Sequence, residues 1–236
     1  MPVQSRSKHP ARPLQADDSG DTRARLLQAA GQVFAESGYY GATIRKISAL
    51  AGVNVALVNY HFRDKLGLYV EVLQESVQAS HIEAVRGALD LAAPPEDIFR
   101  AVIRARLGSL TSVELPDRHV RILIHELAQP TPALSRVINE SLRPVYNRMR
   151  ELIAAITGGS PDGEKARLCS HSVMGQILVY ALASPVLTRL WPELKMTPDQ
   201  LNRIADHIAE FSLAYLHQLR AGKRRPRKSQ PAEKRK

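Results

Sequence analysis

The chain has 236 residues, of which 44% are hydrophobic and 24% are charged, and its formal net charge is +10. This composition is ordinary for a soluble globular protein. No run approaches the ~18 consecutive apolar residues of a membrane span, and the amino-terminal residues lack the apolar stretch of a secretory signal. Because the single cysteine, Cys169, cannot form a disulfide within the chain, we expect a cytoplasmic protein without membrane contact.

Most of the positive charge lies at the carboxyl end. Residues 220–236 contain nine Lys or Arg and one acidic residue, so eight of the ten net charges lie there. We expect residues 221–236 to form a basic disordered tail, too polar to fold alone. This tail either is only solvated or adds non-specific attraction to phosphates. Residues 1–20 mix Pro, Ser, Gly and charges without periodicity, and we expect them to be disordered too.

Apolar residues at helical spacing predict four helices before Pro94. Glycines at positions 38 and 52 are expected to end the first two helices, and the third is expected to run to Phe62. The fourth is the longest of them. The residues that cap the amino ends of the four helices are predicted to be Asp21, Thr43, Asn54 and Asp64.

Five further helices are predicted after Pro94, with Pro-containing and Gly-containing segments between them. Pro144 falls inside the third of the five, where it predicts a kink or break. Strand-like alternation is absent, so the predicted fold is all-α. It consists of a small head (residues 21–81) and a larger helical domain (residues 82–220). The five predicted helices span residues 96–112, 117–128, 133–156, 162–183 and 199–219.

The head contains a segment, residues 44–63, that fits a helix-turn-helix. Two helices joined by a short turn cross steeply, so the turn needs a residue that accepts a positive φ, here Gly52. Ile47 and Val58 supply apolar side chains for the seam between the helices. Since a helix–Gly–helix pattern alone occurs in many helical proteins, the assignment to DNA binding depends on the flanking helices as well.

The outward face of the second helix of this motif is uncharged and rich in hydrogen-bonding groups. Such a face fits the DNA major groove, where Asn bonds adenine and Val or Ala meets a thymine methyl group. Polar residues at the helix ends and edges are placed to contact phosphates. The predicted DNA-binding residues are Thr43, Arg45, Asn54, Val55, Ala56, Asn59, Tyr60, His61 and Lys65.

The run from Thr43 to Tyr69, TIRKISALAGVNVALVNYHFRDKLGLY, resembles the DNA-binding domain of the TetR family of bacterial regulators. The likeness covers about residues 21–69, and its most specific element is the Tyr-His-Phe triplet at positions 60–62. Asn59 stands where the family often has Tyr. Residues 121–153 are similar to the CecR-type subgroup of this family. The resemblance implies a three-helix head, a homodimer built on the last two helices, and repression that a small ligand relieves. A palindromic DNA operator fits such a dimer, because it needs two heads spaced about one DNA turn apart.

Apolar stripes on the last two predicted helices also indicate a dimer, because paired helices from two chains can form a four-helix bundle. The alternative is that these stripes only close the core within one chain. The stripe of the last helix is Leu201, Ile204, Ala205, Ile208, Phe211/Ser212, Tyr215 and Leu219. That of the preceding helix includes Val173, Ile177, Leu178, Val179 and Leu182.

A sensor cavity between helices would be apolar with a few polar groups. Scattered histidines and the single cysteine argue against a metal site, and no cofactor motif, phosphate loop, nucleophile elbow or paired-carboxylate motif indicates an enzyme. The sequence therefore predicts a ligand-responsive homodimeric repressor, whereas a constitutive or architectural DNA-binding dimer is the alternative. A cavity of ~300 Å³ or more would favour the sensor. The predicted ligand-binding residues are His125, Tyr146, Arg150, His171, Met174 and Gln176.

Overall fold

The computed structural model describes residues 16–79, 82–111 and 117–224, and these ranges are helical, with loops and no strand. A π-helical segment, Ile138–Leu142, joins two of the α-helices. The α-helices are α1 (Ala16–Gly41), α2 (Ile44–Ala51), α3 (Val55–Phe62), α4 (Lys65–Ala79), α5 (Ile82–Leu89), α6 (Pro95–Thr111), α7 (Asp117–Ala128), α8 (Ala133–Val137), α9 (Arg143–Thr157), α10 (Glu164–Leu182), α11 (Ser184–Leu190) and α12 (Pro198–Arg224).

The amino end of α1 differs from the prediction. The helix begins at Ala16, so residues 16–20 are helical and Asp21 is not its cap. Asp21 instead forms an ion pair one turn along the helix with Arg25, at 3.1 Å. Acidic residues in a first turn favour a helix through its dipole, which explains the earlier start at a sequence with two aspartates. The rest of the predicted amino-terminal tail, residues 1–15, lies outside the described residues.

Gly38 was predicted to end the first helix, and it interrupts the regular backbone of α1 with φ 64° and ψ 178°. A short helical segment continues beyond it to Gly41. The predicted break near Pro144 is confirmed, because the π-helical segment precedes α9 and the proline occupies the first turn of α9. Proline lacks an N–H and clashes with the carbonyl four residues earlier, so the helix widens before it.

The carboxyl half contains two features that were not predicted. Helix α11 follows α10 at once, and it begins with a Ser-Pro pair that suits the first turn of a new helix. Helix α12 extends to Arg224, so residues 221–224 are helical and not part of a disordered tail. Residues 225–236, the rest of the predicted basic tail, lie outside the described residues.

Two hydrophobic cores organise the chain. The first joins α1–α4 to Ile122 of α7 and to Ala133 and Val137 of α8. The second joins α5, α6, α9, α10 and α12. The predicted domain boundary falls between α4 and α5. Helices α7 and α8, which the prediction places in the larger domain, also complete the core of the head. Helices α7 and α8 therefore pack directly against the head.

Helix α7 is tied to α4 by two buried hydrogen bonds. Tyr69 of α4 donates its hydroxyl to Glu126 at 2.8 Å. Seven residues further along α4, Ser76 Oγ lies 3.1 Å from Nδ1 of His119. Ser76 donates its proton to the Val72 carbonyl at 2.8 Å, so it accepts from Nδ1–H of His119. The other ring nitrogen, Nε2, accepts from Nε of Arg118 at 3.3 Å, so the imidazole carries one proton and is neutral. The same two helices thus carry two polar contacts on one interface.

Replacing His119 with Gln is expected to reduce the loss of stability on acidification. Burial and the nearby charge of Arg118 lower the pKa of His119, against a smaller opposing effect of Glu75. His119 in the unfolded chain has a pKa of ~6.5. It therefore binds a proton at a higher pH than His119 in the folded chain does. This histidine therefore makes the free energy of unfolding fall as the pH decreases through ~6.5 and below.

The measurement is urea unfolding of wild type and His119→Gln at pH 7.5 and pH 5.5. Glutamine is a neutral group that can still donate to Ser76, so the variant should lose less stability between these pH values than the wild type does. Equal losses would show that the imidazole does not contribute to the pH dependence.

Candidate DNA-binding surface and effector cavity

The helix-turn-helix has the predicted caps. Thr43 Oγ1 accepts a hydrogen bond from the Lys46 amide at 3.2 Å, and Asn54 Oδ1 accepts one from the Ala56 amide at 2.8 Å. Gly52 has φ 66° and ψ 35°, the left-handed conformation that the turn needs. Each cap removes an unsatisfied N–H at a helix start, which contributes ~1 kcal/mol. The angle between α2 and α3 is therefore set mainly by local sequence.

A second glycine fixes the angle between α3 and α4, and sequence reasoning did not single it out. A Cβ on Gly67 would overlap the carbonyl oxygen of Phe62, the last residue of α3. The Gly67 amide also donates a hydrogen bond to Asp64 Oδ1, at 2.8 Å. Arg63, between these helices, has φ 68°. Glycine at position 67 thus allows α3 and α4 to approach closely.

Helix α3 has one buried side and one open side. Val58 and Phe62 are buried in the core of the head. Asn54, Val55, Ala56, Asn59 and Tyr60 are exposed, and Tyr60 retains 75% of its accessible surface. His61 is partly buried, with its ring edge-on to Tyr60 at 5.0 Å between centroids. The predicted base-reading face is therefore accessible to a DNA groove.

The residues predicted to contact phosphates have different environments. Thr43 and Arg45, at the start of α2, are exposed. Lys65, at the start of α4, is partly buried, with Nζ 4.5 Å from the centroid of the Tyr39 ring. Burial lowers the pKa of its ammonium group. Two exposed side chains that sequence reasoning missed, Tyr40 and Arg63, also belong to the head.

We expect Lys65→Ala to weaken binding to operator and random DNA by the same factor. A lysine that contacts phosphate contributes to affinity through counterion release, whatever the base sequence. Its removal should reduce the slope of log K against log salt by about 1. The measurement is fluorescence anisotropy with both duplexes at several salt concentrations. An unchanged slope would contradict the phosphate contact, as would a loss confined to the operator.

The larger domain encloses a cavity of about 540 Å³. Its walls come from α4 to α10 and are mainly Leu, Val, Ile and Met side chains. Leu73 and Val77 of α4 belong to both this wall and the core of the head. The polar or charged residues of the wall are Arg106, Glu126, Arg143, Tyr146, Ser170 and His171.

Three of the six predicted ligand-binding residues line this cavity: Tyr146, His171 and Met174. The Tyr146 ring stacks on His171 at 5.8 Å between centroids. The tyrosine hydroxyl lies 3.3 Å from His171 Nε2. Sequence periodicity missed Arg106 and Arg143, which also line the cavity. Burial of the guanidinium group lowers the pKa of Arg106. Averaged over all its atoms, the residue is partly exposed.

The other three predicted ligand-binding residues are not among the residues that line this cavity. His125 faces α1, with Nε2 3.2 Å from the Ala35 carbonyl oxygen. Gln176 donates to Ser212 of α12 at 3.2 Å. Arg150 is bound to the loop before α10, through the Pro161 carbonyl at 3.0 Å and Asp162 at 2.8 Å. Each serves a contact between elements, which a helical repeat cannot distinguish from a cavity position.

The apolar stripe of α12 is divided between two surfaces. Ile204, Ala205 and Ile208 are buried within the chain, as the alternative interpretation of the stripe proposed. Phe211 and Tyr215 point outward and remain 65% and 54% exposed. Other large apolar side chains on α10, on α11 and directly after α11 are also exposed, and we call this set of exposed residues the outer apolar face. Its members are Leu168, Val179, Leu182, Val186, Leu190, Trp191, Phe211 and Tyr215.

Two negative results concern the described residues only. No group of three or more His, Cys, Asp or Glu side chains there is arranged to hold a metal ion. No single helix among them is long and apolar enough to cross a membrane. By length and composition alone, the pair Glu164–Tyr180 and Ser184–Leu190, bent by 72°, passes the same test.

Comparison with known proteins gives two family matches. Residues 26–72 match the description "Bacterial regulatory proteins, tetR family". Residues 95–216, more than half of the chain, match "HTH-type transcriptional dual regulator CecR, C-terminal domain". The dual regulator CecR of Shigella flexneri is 26% identical over 174 residues, which cover 70% of this chain and 78% of that protein.

Solved structures show the same fold. A transcriptional regulator from Pseudomonas aeruginosa has a TM-score of 0.62 and 24% identity, and the match covers 83% of this chain and 92% of that chain. The regulator FadR from Bacillus subtilis, solved in complex with stearoyl-CoA, has a TM-score of 0.60 and 20% identity, over 81% and 97% of the two chains. With the helix-turn-helix and the matched carboxyl domain, the chain belongs to the TetR family of transcriptional regulators and has a CecR-type carboxyl-terminal domain.

Proposed function

We propose that the chain is a homodimeric repressor whose α3 helices read a palindromic operator and whose DNA affinity falls when a ligand occupies the cavity. The observation that carries this proposal is the position of α4. Its amino end packs on α3 through Gly67, and its carboxyl half supplies Leu73 and Val77 to the cavity wall. One helix therefore touches both the DNA-reading element and the ligand site.

The open face of α3 supports sequence-specific binding. Asn59 is the central polar residue of that face and is suited to bond the N6 and N7 atoms of adenine. Val55 and Ala56 are suited to meet thymine methyl groups. Thr43, Arg45 and Lys65 would then position the head on phosphates, with Tyr60 and His61 at the edge of the groove.

The outer apolar face supports the homodimer. Monomeric proteins rarely leave so many large apolar side chains exposed together, and α10 and α12 from two chains would bury them in a four-helix bundle. Two heads related by a two-fold axis match two half-sites about 34–36 Å apart, or multiples of that distance, on one face of DNA.

The cavity supports a ligand-responsive protein over a constitutive or architectural one. Its volume of about 540 Å³ exceeds the ~300 Å³ at which ligand sites begin. Apolar walls with Arg106 and Arg143 among them suit a molecule that has a long apolar part and an anionic group. FadR of Bacillus subtilis, which has the same fold, was solved with a ligand of this description, stearoyl-CoA.

The test begins with the full chain and a random duplex library. Repeated selection should enrich a palindromic duplex that binds two chains, and light scattering should give the mass of a dimer. Stearoyl-CoA should then weaken binding to that duplex by between ~5-fold and ~150-fold, the usual range of allosteric coupling. Free coenzyme A is the matched control, because it has the same anionic groups without the acyl chain.

Each outcome has a definite meaning. No enriched duplex would contradict the regulator. An enriched duplex that responds to neither stearoyl-CoA nor a series of free fatty acids would favour the constitutive alternative. A reporter gene with the enriched duplex across its promoter tests repression in the cytoplasm, since a bound dimer should lower its expression and a ligand should restore it.

A further inference from the structure

We infer that the hydrogen bond between Tyr69 and Glu126 is the joint through which an occupant of the cavity changes the DNA-binding head. This inference rests on the proposed function and assigns a positioning role to Tyr69 and Glu126. The joint lies between α4, which carries Tyr69, and α7, which carries Glu126. It is one of the two buried hydrogen bonds between these helices.

The joint is buried and fully bonded. Tyr69 and Glu126 retain 1% and 2% of their accessible surface. Glu126 Oε2 accepts from the Tyr69 hydroxyl at 2.8 Å. Its other oxygen, Oε1, accepts from the Thr131 amide at 2.8 Å. Burial and the contact with Glu126 raise the pKa of Tyr69, so the phenol keeps the proton that it donates. Leaving one partner of a buried hydrogen bond without the other is costly, so the joint holds α4 against α7.

On one side, the joint is continuous with the aromatic cluster of the head. The Tyr69 ring contacts Phe34 of α1 edge-on at 4.7 Å and Tyr39 at 4.9 Å between centroids. Lys65, at the start of α4, lies over the Tyr39 ring. Displacement of the Tyr69 side chain would therefore shift α4 relative to α1. It would also shift α3, which is in backbone contact with Gly67.

On the other side, the joint forms part of the cavity wall. Glu126 is itself a lining residue, and its neighbours Leu123 and Leu127 line the same cavity from α7. From α4, Leu73 lines the cavity one turn after Tyr69. An occupant would thus contact both helices at the position where they are tied together. By moving α7 or by bonding Glu126, it would weaken the bond to Tyr69.

The second bond between these helices provides a matched control. Ser76 and His119 also join α4 to α7 in a buried site. Neither residue belongs to the cavity lining. Tyr69→Phe and Ser76→Ala each remove one hydroxyl from α4 and one buried bond to α7, but only the first bond reaches the cavity.

The experiment compares the full-length wild type, Tyr69→Phe and Ser76→Ala. The measurements are thermal unfolding, affinity for the enriched operator, and affinity for the fluorescent apolar anion 1-anilinonaphthalene-8-sulfonate in the absence of DNA. Tyr69→Phe should bind the anion several-fold more tightly, because occupancy no longer has to break the joint. By linkage it should bind the operator on the order of tenfold more weakly. Ser76→Ala should lower the unfolding temperature without changing either affinity by more than about twofold.

A double variant keeps the test independent of folding defects. Tyr69→Phe combined with Glu126→Gln should weaken operator binding no more than the worse single variant does, because both changes act on one bond. Additive losses would overturn the inference, as would equal effects of Tyr69→Phe and Ser76→Ala. An absence of saturable anion binding to the wild type would overturn it too. Failure to enrich any operator would contradict the regulator itself, which separates the two proposals.

Discussion

Phe211→Glu is expected to convert the proposed dimer into monomers and to weaken operator binding by at least about 100-fold. The side chain lies on the outer apolar face and is 65% exposed in the single chain. In an isologous dimer each interface would receive two glutamates, and a buried charge without a partner costs several kcal/mol. Loss of the dimer would remove one of the two heads that share the operator.

Analytical ultracentrifugation and anisotropy with the enriched operator check this prediction. Leu91→Glu is the matched control, because Leu91 is also an exposed apolar residue but lies between α5 and α6, away from the outer apolar face. The control should remain a dimer with wild-type affinity. Neither substitution should change the free energy of unfolding of a single chain by more than ~0.5 kcal/mol, because both residues are exposed in that chain. A dimeric Phe211→Glu protein would contradict the proposed interface.

Asn59→Ala is expected to weaken binding to the enriched operator by ~1–3 kcal/mol and to relax specificity at one base pair. Asn59 is exposed on α3, and its neighbour Val58 is buried. The substitution would therefore remove the proposed base contact without disturbing the core. Alanine also favours a helix more than asparagine does, so the free energy of unfolding should not fall.

Repeating the duplex selection with Asn59→Ala identifies the base pair that loses its preference. Asn54→Ser is a useful comparison, because serine keeps the cap that Asn54 forms with the Ala56 amide. It should retain the fold of α3 and change a different position of the operator. If Asn59→Ala weakened random DNA as much as the operator, Asn59 would not be reading a base.

Much of the head was predictable because its determinants are local. Thr43 and Asn54 accept hydrogen bonds from amides two or three residues later, and Gly52 donates its own amide to carbonyls three and four residues earlier. The structure confirms all three. The break near Pro144 was predictable for the same reason, since proline acts on the turn that contains it. Asp21 was predicted wrongly as a cap, because the residues before it continue the helix.

Long-range contacts explain what sequence reasoning missed. Gly67 is required by the Phe62 carbonyl, which approaches it only once α3 and α4 are packed. Arg106 and Arg143 line the cavity, whereas His125 and Gln176 serve contacts between helices. A helix in the middle of a bundle has neighbours on several sides, and apolar periodicity does not identify which neighbour a polar residue faces.

The sequence by itself determined that the chain is all-helical, that it has a DNA-reading helix after Asn54, and that this helix exposes Asn59 and Tyr60. Helical periodicity, caps and the glycine turn act within a few residues, so they can be read directly from the chain. Only the tertiary structure decided that α7 completes the core of the head and that Glu126 joins the cavity to Tyr69. Tyr69 and Glu126 are far apart in sequence, and only the packing of α4 against α7 brings them within hydrogen-bond distance.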